Sequence, residues 1–228
     1  IKLTPTYNSG SFGGQSSQLN NITIDGANFN NSFGLSGDIG GQTGQNPVSL
    51  DAIEQIQVNT SPFDVKNGGF VGGGINSVTR SGNNTYSGSV YQYFKNKDWQ
   101  GYEVNGAPYT IKVPKQDYSY DLKGFTASGA IIKNKLFWFT NEEITRRNEP
   151  LFYKAGDKGG IIDEATANQI SSFVNSKYGF DPGAFGDYSI YSKSTKFFNR
   201  LDWNISDKHQ LSIRNSYVIS EASNLERD

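Results

Sequence analysis

Cysteine and methionine are both absent from this chain of 228 residues, and histidine occurs once, as His209. Without thiols there is no structural disulfide, no thiolate metal site and no cysteine nucleophile, and one imidazole cannot build a multi-histidine metal centre. Neither sign of charge dominates: 21 basic and 22 acidic residues are interspersed to a net charge of -1. That balance offers no footprint for nucleic acid or an anionic lipid surface, and nucleic acid is set aside as a partner. Long apolar runs are missing too, so no transmembrane helix is expected, since one takes roughly 18 consecutive apolar residues. Membrane strands are compatible with that absence and with a mean hydropathy of -0.59, because each needs only about ten residues of alternating character. The first residue is isoleucine and no signal-peptide pattern follows it, so a processed or truncated piece is expected.

What the chain does hold is glycine, 26 residues of it, and rings, with 13 tyrosines and 15 phenylalanines. A water-soluble domain builds its core mainly from leucine, isoleucine and valine. Here the hydrophobicity sits on rings separated by Asn, Ser and Gly, a texture that suits strands with one wet face and one apolar face.

Residues 1–50 are polar and glycine-rich, with one sharp signal in Asn21–Asn28, NITIDGAN. Ile22 and Ile24 alternate with polar residues and meet Asp25-Gly26, a dipeptide suited to the positive φ angles of a tight hairpin turn. Further on, Ser49 or Asp51 is placed to cap a helical turn, Ile53 and Ile56 follow at helical spacing, and Glu54 stands where a capping box needs it. The chain turns strand-like at Ile56–Thr60 and then reaches Gly68, Gly69, Gly72, Gly73 and Gly74. These glycines lack the Lys-Ser/Thr ending and the strand-loop-helix setting of a phosphate loop. They are read as points where backbones approach closely, ahead of a strand through Ile75 and Val78.

From residue 85 onward long alternating strands are expected at 85–96, 121–132, 136–147, 196–205 and 211–220. The last two are the cleanest. Phe197, Leu201, Trp203 and Ile205 share one face and Arg200, Asp202 and Asn204 the other; Leu211, Ile213, Tyr217 and Ile219 oppose Ser212, Arg214, Ser216 and Ser220. Lys133–Lys135 and Ser206–His209 make short turns. The connections at 97–120 and 148–192 are long, and the second carries a helix over Asp163–Lys177 with acidic residues at its start. Long and short connections alternate in outer-membrane barrels, where short turns are periplasmic and longer loops extracellular.

Two motifs in fixed order carry a resemblance. Ile53–Val58 (IEQIQV) leads through SPFDV and the glycine-rich stretch into Gly73–Arg80 (GGINSVTR), and TYSGSVY follows. This order resembles the end of the plug domain and the first barrel strand of TonB-dependent outer-membrane receptors, and is most similar to the Oar-like receptors of Bacteroidota and related bacteria. The resemblance implies a mostly β fold: a partial plug domain over 1–84, then over 85–228 the first antiparallel strands and two long extracellular loops of a transmembrane β-barrel. It implies a place in the outer membrane of a Gram-negative bacterium and energised uptake of a surface-bound solute. The implied partners are outer-membrane lipid, the remainder of the barrel, a TonB-type energy-coupling complex and the solute, with outer-membrane assembly machinery as a further candidate. About five strands cannot close a barrel, which takes about eight at least and about 22 in plugged transporters. The chain is therefore expected to be the incomplete middle of a larger receptor.

For catalysis the sequence offers little. Glu142 and Glu143 are neighbours that point to opposite faces of a strand, so they cannot flank one bond. No catalytic, cofactor-binding or metal-binding residue is assigned, and no enzyme activity is expected. The candidate site residues are Arg200, Asp202 and Arg214, expected to face a barrel lumen and there to hydrogen-bond the plug or line a solute path. The exposed face of a soluble sheet would give the same alternation. Tyr91, Tyr93, Phe94, Phe137, Trp138, Phe139 and Trp203 fit interfacial girdles, with packing in a soluble core as the alternative for them. The alternative function is a secreted or surface all-β binding module, an adhesin or glycan-binding sandwich with its rings as a recognition platform.

Overall fold

The architecture comes from a computed structural model, which describes residues 19–29, 45–60, 73–99, 117–150, 162–183 and 189–223, together with 7–8, 11–12, 14, 16, 43, 103–106, 109–112, 155–156 and 185. The chain divides into two compact units. The first comprises Ile1–Gln92, Leu122–Thr145 and Ser194–Glu221; the second comprises Tyr93–Asp121, Arg146–Lys193 and Ala222–Asp228.

In the first unit β1 (Tyr7–Asn8) and β2 (Ser11–Phe12) form a short antiparallel pair. β3 (Asn21–Ile24) and β4 (Ala27–Asn28) are the expected hairpin, turned by Asp25 at φ 50° and Gly26 at φ 84°. Two successive left-handed residues are what a type I′ turn requires. β5 (Ile53–Asn59) and β6 (Gly74–Thr79) complete a mixed sheet of order β4-β3-β6-β5, with β6 parallel to β3 and antiparallel to β5. Alternation puts Ile22, Ile24, Ile75, Ser77 and Thr79 on the buried side.

The helical turn expected before β5 is shorter than its pattern suggests. Ser49 does cap it, accepting from the Asp51 amide at 3.3 Å, but only one 3-10 turn, Leu50–Ala52, follows before β5 begins. Ladder pairing with β6 overrides the helical spacing of Ile53 and Ile56. A register shift between Ile53 and Gln55 absorbs the misfit, and Glu54 lies exposed in the strand instead of in a capping box. Of the glycine cluster, residues 68, 69 and 72 lie outside the described residues. At Gly73 a Cβ would overlap the Phe12 ring, which is the close approach expected there.

The five long strands are β7 (Ser87–Asn96), β10 (Ser119–Ile132), β11 (Leu136–Pro150), β12 (Ser189–Ser206) and β13 (His209–Ala222), in the order β13-β12-β11-β10-β7. They form an open antiparallel meander that does not close on itself. β10 to β13 reach beyond the lengths expected from sequence, and His209 opens β13, leaving Asp207-Lys208 as the turn. A hairpin of β8 (Glu103–Gly106) and β9 (Tyr109–Lys112) occupies part of the first long connection.

This sheet is inside out relative to a soluble β domain. Thr126, Ser128, Asn141, Glu143, Ser194 and Lys196 are buried, whereas Val90, Phe125, Ile131, Phe197, Leu201 and Ile213, at the alternate positions, are exposed. Polar groups are hidden on one face and apolar surface is offered on the other, the arrangement expected where hydrocarbon surrounds the sheet. No helix among the described residues is long and apolar enough to cross a membrane.

Among the rings expected in interfacial girdles, Phe139 and Tyr91 turn out to be packed inward. Phe139 has the parity of Asn141 and Glu143, and packs with Phe198 at a ring separation of 6.1 Å in a buried cluster with Ile24, Val48 and Ala52. Phe198 thereby interrupts the polar face of β12. Tyr91 lies over Gly124, where a Cβ would collide with its ring; the missing side chain makes the space that draws the tyrosine in. The linker between β6 and β7 passes equally close to the strands, since a Cβ on Gly82 would strike the carbonyls of Trp138 and Gly129.

In the second unit α1 (Glu164–Tyr178) is capped by Asp163, which accepts from the Thr166 amide at 2.7 Å, and is closed by Gly179 at φ 64°. The Thr166 backbone hydrogen bond holds the Asp163 carboxyl below its ordinary range. A lowered value means that the cap stabilises the helix above the ordinary carboxylate pKa of about 3.9, and that this is lost as pH falls through the lowered value. Hydrogen exchange at Thr166, corrected for its intrinsic pH dependence, is therefore expected to accelerate below about pH 4. In Asp163→Asn, which still caps, that pH dependence should vanish. Equal acid response in both proteins would contradict the assignment.

Candidate functional site

The three residues singled out from the sequence converge on one node in the first unit. Asp25, in the β3–β4 turn, accepts from the Thr79 amide at 2.9 Å and the Thr79 hydroxyl at 2.5 Å. Its carboxylate also meets Arg214 Nε of β13 at 3.1 Å. From β12, Arg200 Nη1 donates to the Thr79 carbonyl at 2.7 Å, while its Nε pairs with Asp202 at 2.7 Å. Ser212 donates to the other Asp202 oxygen at 2.5 Å. The period-two alternation places Arg200, Asp202 and Arg214 on one face of neighbouring strands; the Asp-Gly turn and the end of β6 supply what they grip.

A second node was passed over in the sequence. Glu143 and Lys196 form an ion pair at 2.7 Å, with side chains only 6% and 7% exposed. The second Glu143 oxygen accepts from the Ser49 hydroxyl at 2.6 Å, and the Tyr91 hydroxyl lies 3.1 Å from that serine. Asn141 donates to Tyr91 at 3.2 Å and to the Phe125 carbonyl at 3.1 Å. Burying two ions is costly unless they are paired and further hydrogen-bonded; here they pair with each other, and Ser49 and Tyr91 donate to the remaining Glu143 oxygen. The signal is in the alternation, since Glu143 and Lys196 stand on the polar faces of adjacent strands, but alternation does not name the pair that meets across them.

Further polar contacts join Thr43, Gln45 and Pro47 to the strands. Thr43 and Ser220 hydroxyls meet at 2.8 Å, Ser194 donates to Gln45 at 3.3 Å, and Ser216 donates to the Pro47 carbonyl at 3.4 Å. An apolar cavity of about 130 Å³, lined by Ile22, Ile24, Val48, Leu50, Ile56 and Ile75, lies against the mixed sheet. No group of three His, Cys, Asp or Glu among the described residues could hold a metal ion. The Ser49 hydroxyl faces a carboxylate already neutralised by Lys196, which is a structural contact rather than a nucleophile with a free base.

Residues 78–155 match the model of an outer-membrane β-barrel domain. Over 217 residues the chain is 25% identical to the TonB-dependent transporter Oar of Myxococcus xanthus, covering 89% of this chain and 18% of that protein. The chain is a TonB-dependent-receptor-like segment. Its fold also resembles that of the siderophore receptor PirA from Acinetobacter baumannii, with a TM-score of 0.57 at 18% identity, over 93% of this chain and 25% of that one. The receptor-like segment thus spans a quarter or less of either protein. It belongs to the outer membrane of a Gram-negative bacterium and forms part of a β-barrel. These two proteins are named as a transporter and a receptor.

Proposed function

We propose that the full-length protein imports a surface-bound solute across the outer membrane, using energy delivered by a TonB-type inner-membrane complex. Residues 1–84 are the later part of its plug, and 85–228 are its first five barrel strands with two long extracellular loops. The observation that supports this best is the buried polar face of the five-stranded sheet, whose Arg200, Arg214 and Glu143 reach Thr79, Asp25 and Ser49 of the 1–84 part. A barrel occupied by a separable body needs an apolar exterior and a polar interior that hydrogen-bonds that body. Arg200, Asp202 and Arg214 face the lumen in this reading; they hold the plug at rest and line the solute path once it moves. Outer-membrane lipid and the remainder of the barrel complete the surroundings of the sheet, and assembly machinery handles it before closure.

The test is solute depletion from defined medium by cells with and without the full-length protein, each measured with and without a protonophore. At least one solute is expected to disappear only where the protein is present and the membrane energised. Depletion that survives the protonophore would sink the energised mechanism, and identical depletion by both strains would sink transport altogether.

A further inference from the structure

The two anchors that join residues 1–84 to the strands are chemically unlike. At the β3–β4 turn the anchor is ionic: the Asp25 side chain is only 5% exposed, and its cation Arg214 belongs to β13. Withdrawing that turn separates a carboxylate from its guanidinium and strips it of two Thr79 hydrogen bonds. The hairpin is tied in addition by its parallel ladder to β6. By contrast, residues 39–50 contain no charged side chain at all. Their contacts with the strands at Thr43, Gln45, Pro47 and Ser49 come from neutral groups, and residues 45–49 lie in no strand or helix.

What lies beneath Ser49 completes the contrast. Both buried ions, Glu143 and Lys196, stand on strands of the large sheet and neutralise each other. Lifting Ser49 away breaks its hydrogen bonds with Glu143 and Tyr91 but leaves no ion without its counter-ion, and water replaces the hydroxyl. Asn141 Oδ1, buried beside this pair, has no hydrogen-bond partner among the described residues and is an acceptor for an entering water.

We propose that residues 45–49 form a separable strap that opens locally from the sheet while the β3–β4–β6 ladder stays in place. Val48 leaves the apolar cluster when the strap lifts, so the open form is a minor population and the closed form the resting state. Only the purpose of the strap, as the part of a plug that yields first, rests on the transport reading; the opening itself does not.

Thiol labelling separates the two. Ser49→Cys and Ser77→Cys are made in the full-length protein, free of other cysteines, in isolated outer membranes, and treated with a small cationic methanethiosulfonate without solute or energy source. Each rate is divided by that of the unfolded protein. Ser49 is 1% exposed and Ser77 9%, so static exposure would favour Ser77. The strap predicts that position 49 reacts at least about tenfold faster, as local opening free energies of the two segments differ. Equal rates, or faster labelling at 77, would overturn it. If Ser49→Cys does not assemble, Val48→Cys against Ile75→Cys asks the same question, since these two are 3% and 6% exposed. Fast labelling at 49 in a protein that depletes no solute would remove the transport reading and leave the strap standing.

Discussion

Replacing Lys196 with methionine is expected to destabilise the full-length protein by about 3–5 kcal/mol, and Glu143→Gln by a comparable amount, because each leaves a buried ion without its partner. The pair is closed to water, with side chains 7% and 6% exposed, so solvent offers little relief. In Glu143→Gln the amide oxygen can still accept from Ser49, yet Lys196 keeps its charge with nothing to balance it. The double variant Glu143→Gln/Lys196→Met removes both charges and should cost clearly less than the two singles together. Ser49→Ala is the control, with an expected loss of about 1.5–3 kcal/mol for one hydrogen bond to a charged group. Urea unfolding in lipid vesicles, followed through loss of the compact heat-modifiable band, measures all four. Additive losses in the double variant would mean that the two charges are not coupled.

How much of this was legible depends on how local each signal is. The β3–β4 hairpin was readable because Asp25-Gly26 encodes its own turn, and α1 because Asp163 and Gly179 mark its ends. The long strands were readable from alternation, since one face is polar throughout most of their length. Alternation reports which side a residue faces but says nothing of what lies opposite. So Arg200, Asp202 and Arg214 could be grouped, while their partners Asp25 and Thr79, 121 residues from Arg200 in the case of Thr79, could not be named. The parallel pairing of β3 with β6 was hidden for the same reason. The helical spacing of Ile53 and Ile56 misled because ladder hydrogen bonds outweigh a propensity summed over so few residues. Tyr91 and Phe139 fit interfacial girdles by their chemistry, but aromatic content alone does not carry parity. Their inward placement depends on Gly124 in one case and on Phe198 in the other.

Asp25 does two jobs, and three substitutions separate them. Its backbone sits at φ 50°, a region that asparagine and glycine enter readily and alanine enters at a cost of roughly 1–2 kcal/mol. Its carboxylate binds Thr79 and Arg214. Asp25→Asn keeps the turn and one acceptor for the Thr79 amide but loses the ion pair, for an expected cost of about 1.5–3 kcal/mol. Asp25→Ala loses the acceptors and strains the turn as well, so about 3–5 kcal/mol is expected. Asp25→Gly loses the acceptors without the left-handed strain and should fall between the two. Arg214→Ala removes the other end of the pair, and combining it with Asp25→Asn should add little to either single change. Urea midpoints of the full-length protein order the series; alanine no worse than glycine would dismiss the turn contribution, and full additivity with Arg214→Ala would dismiss the ion pair. The same Asp25→Asn change bears on the strap. If charge is what distinguishes the fixed anchor from the separable one, neutralising Asp25 should raise thiol labelling at Ser77→Cys and narrow its gap with Ser49→Cys, whereas an unchanged gap would assign the difference to the β3–β6 ladder alone.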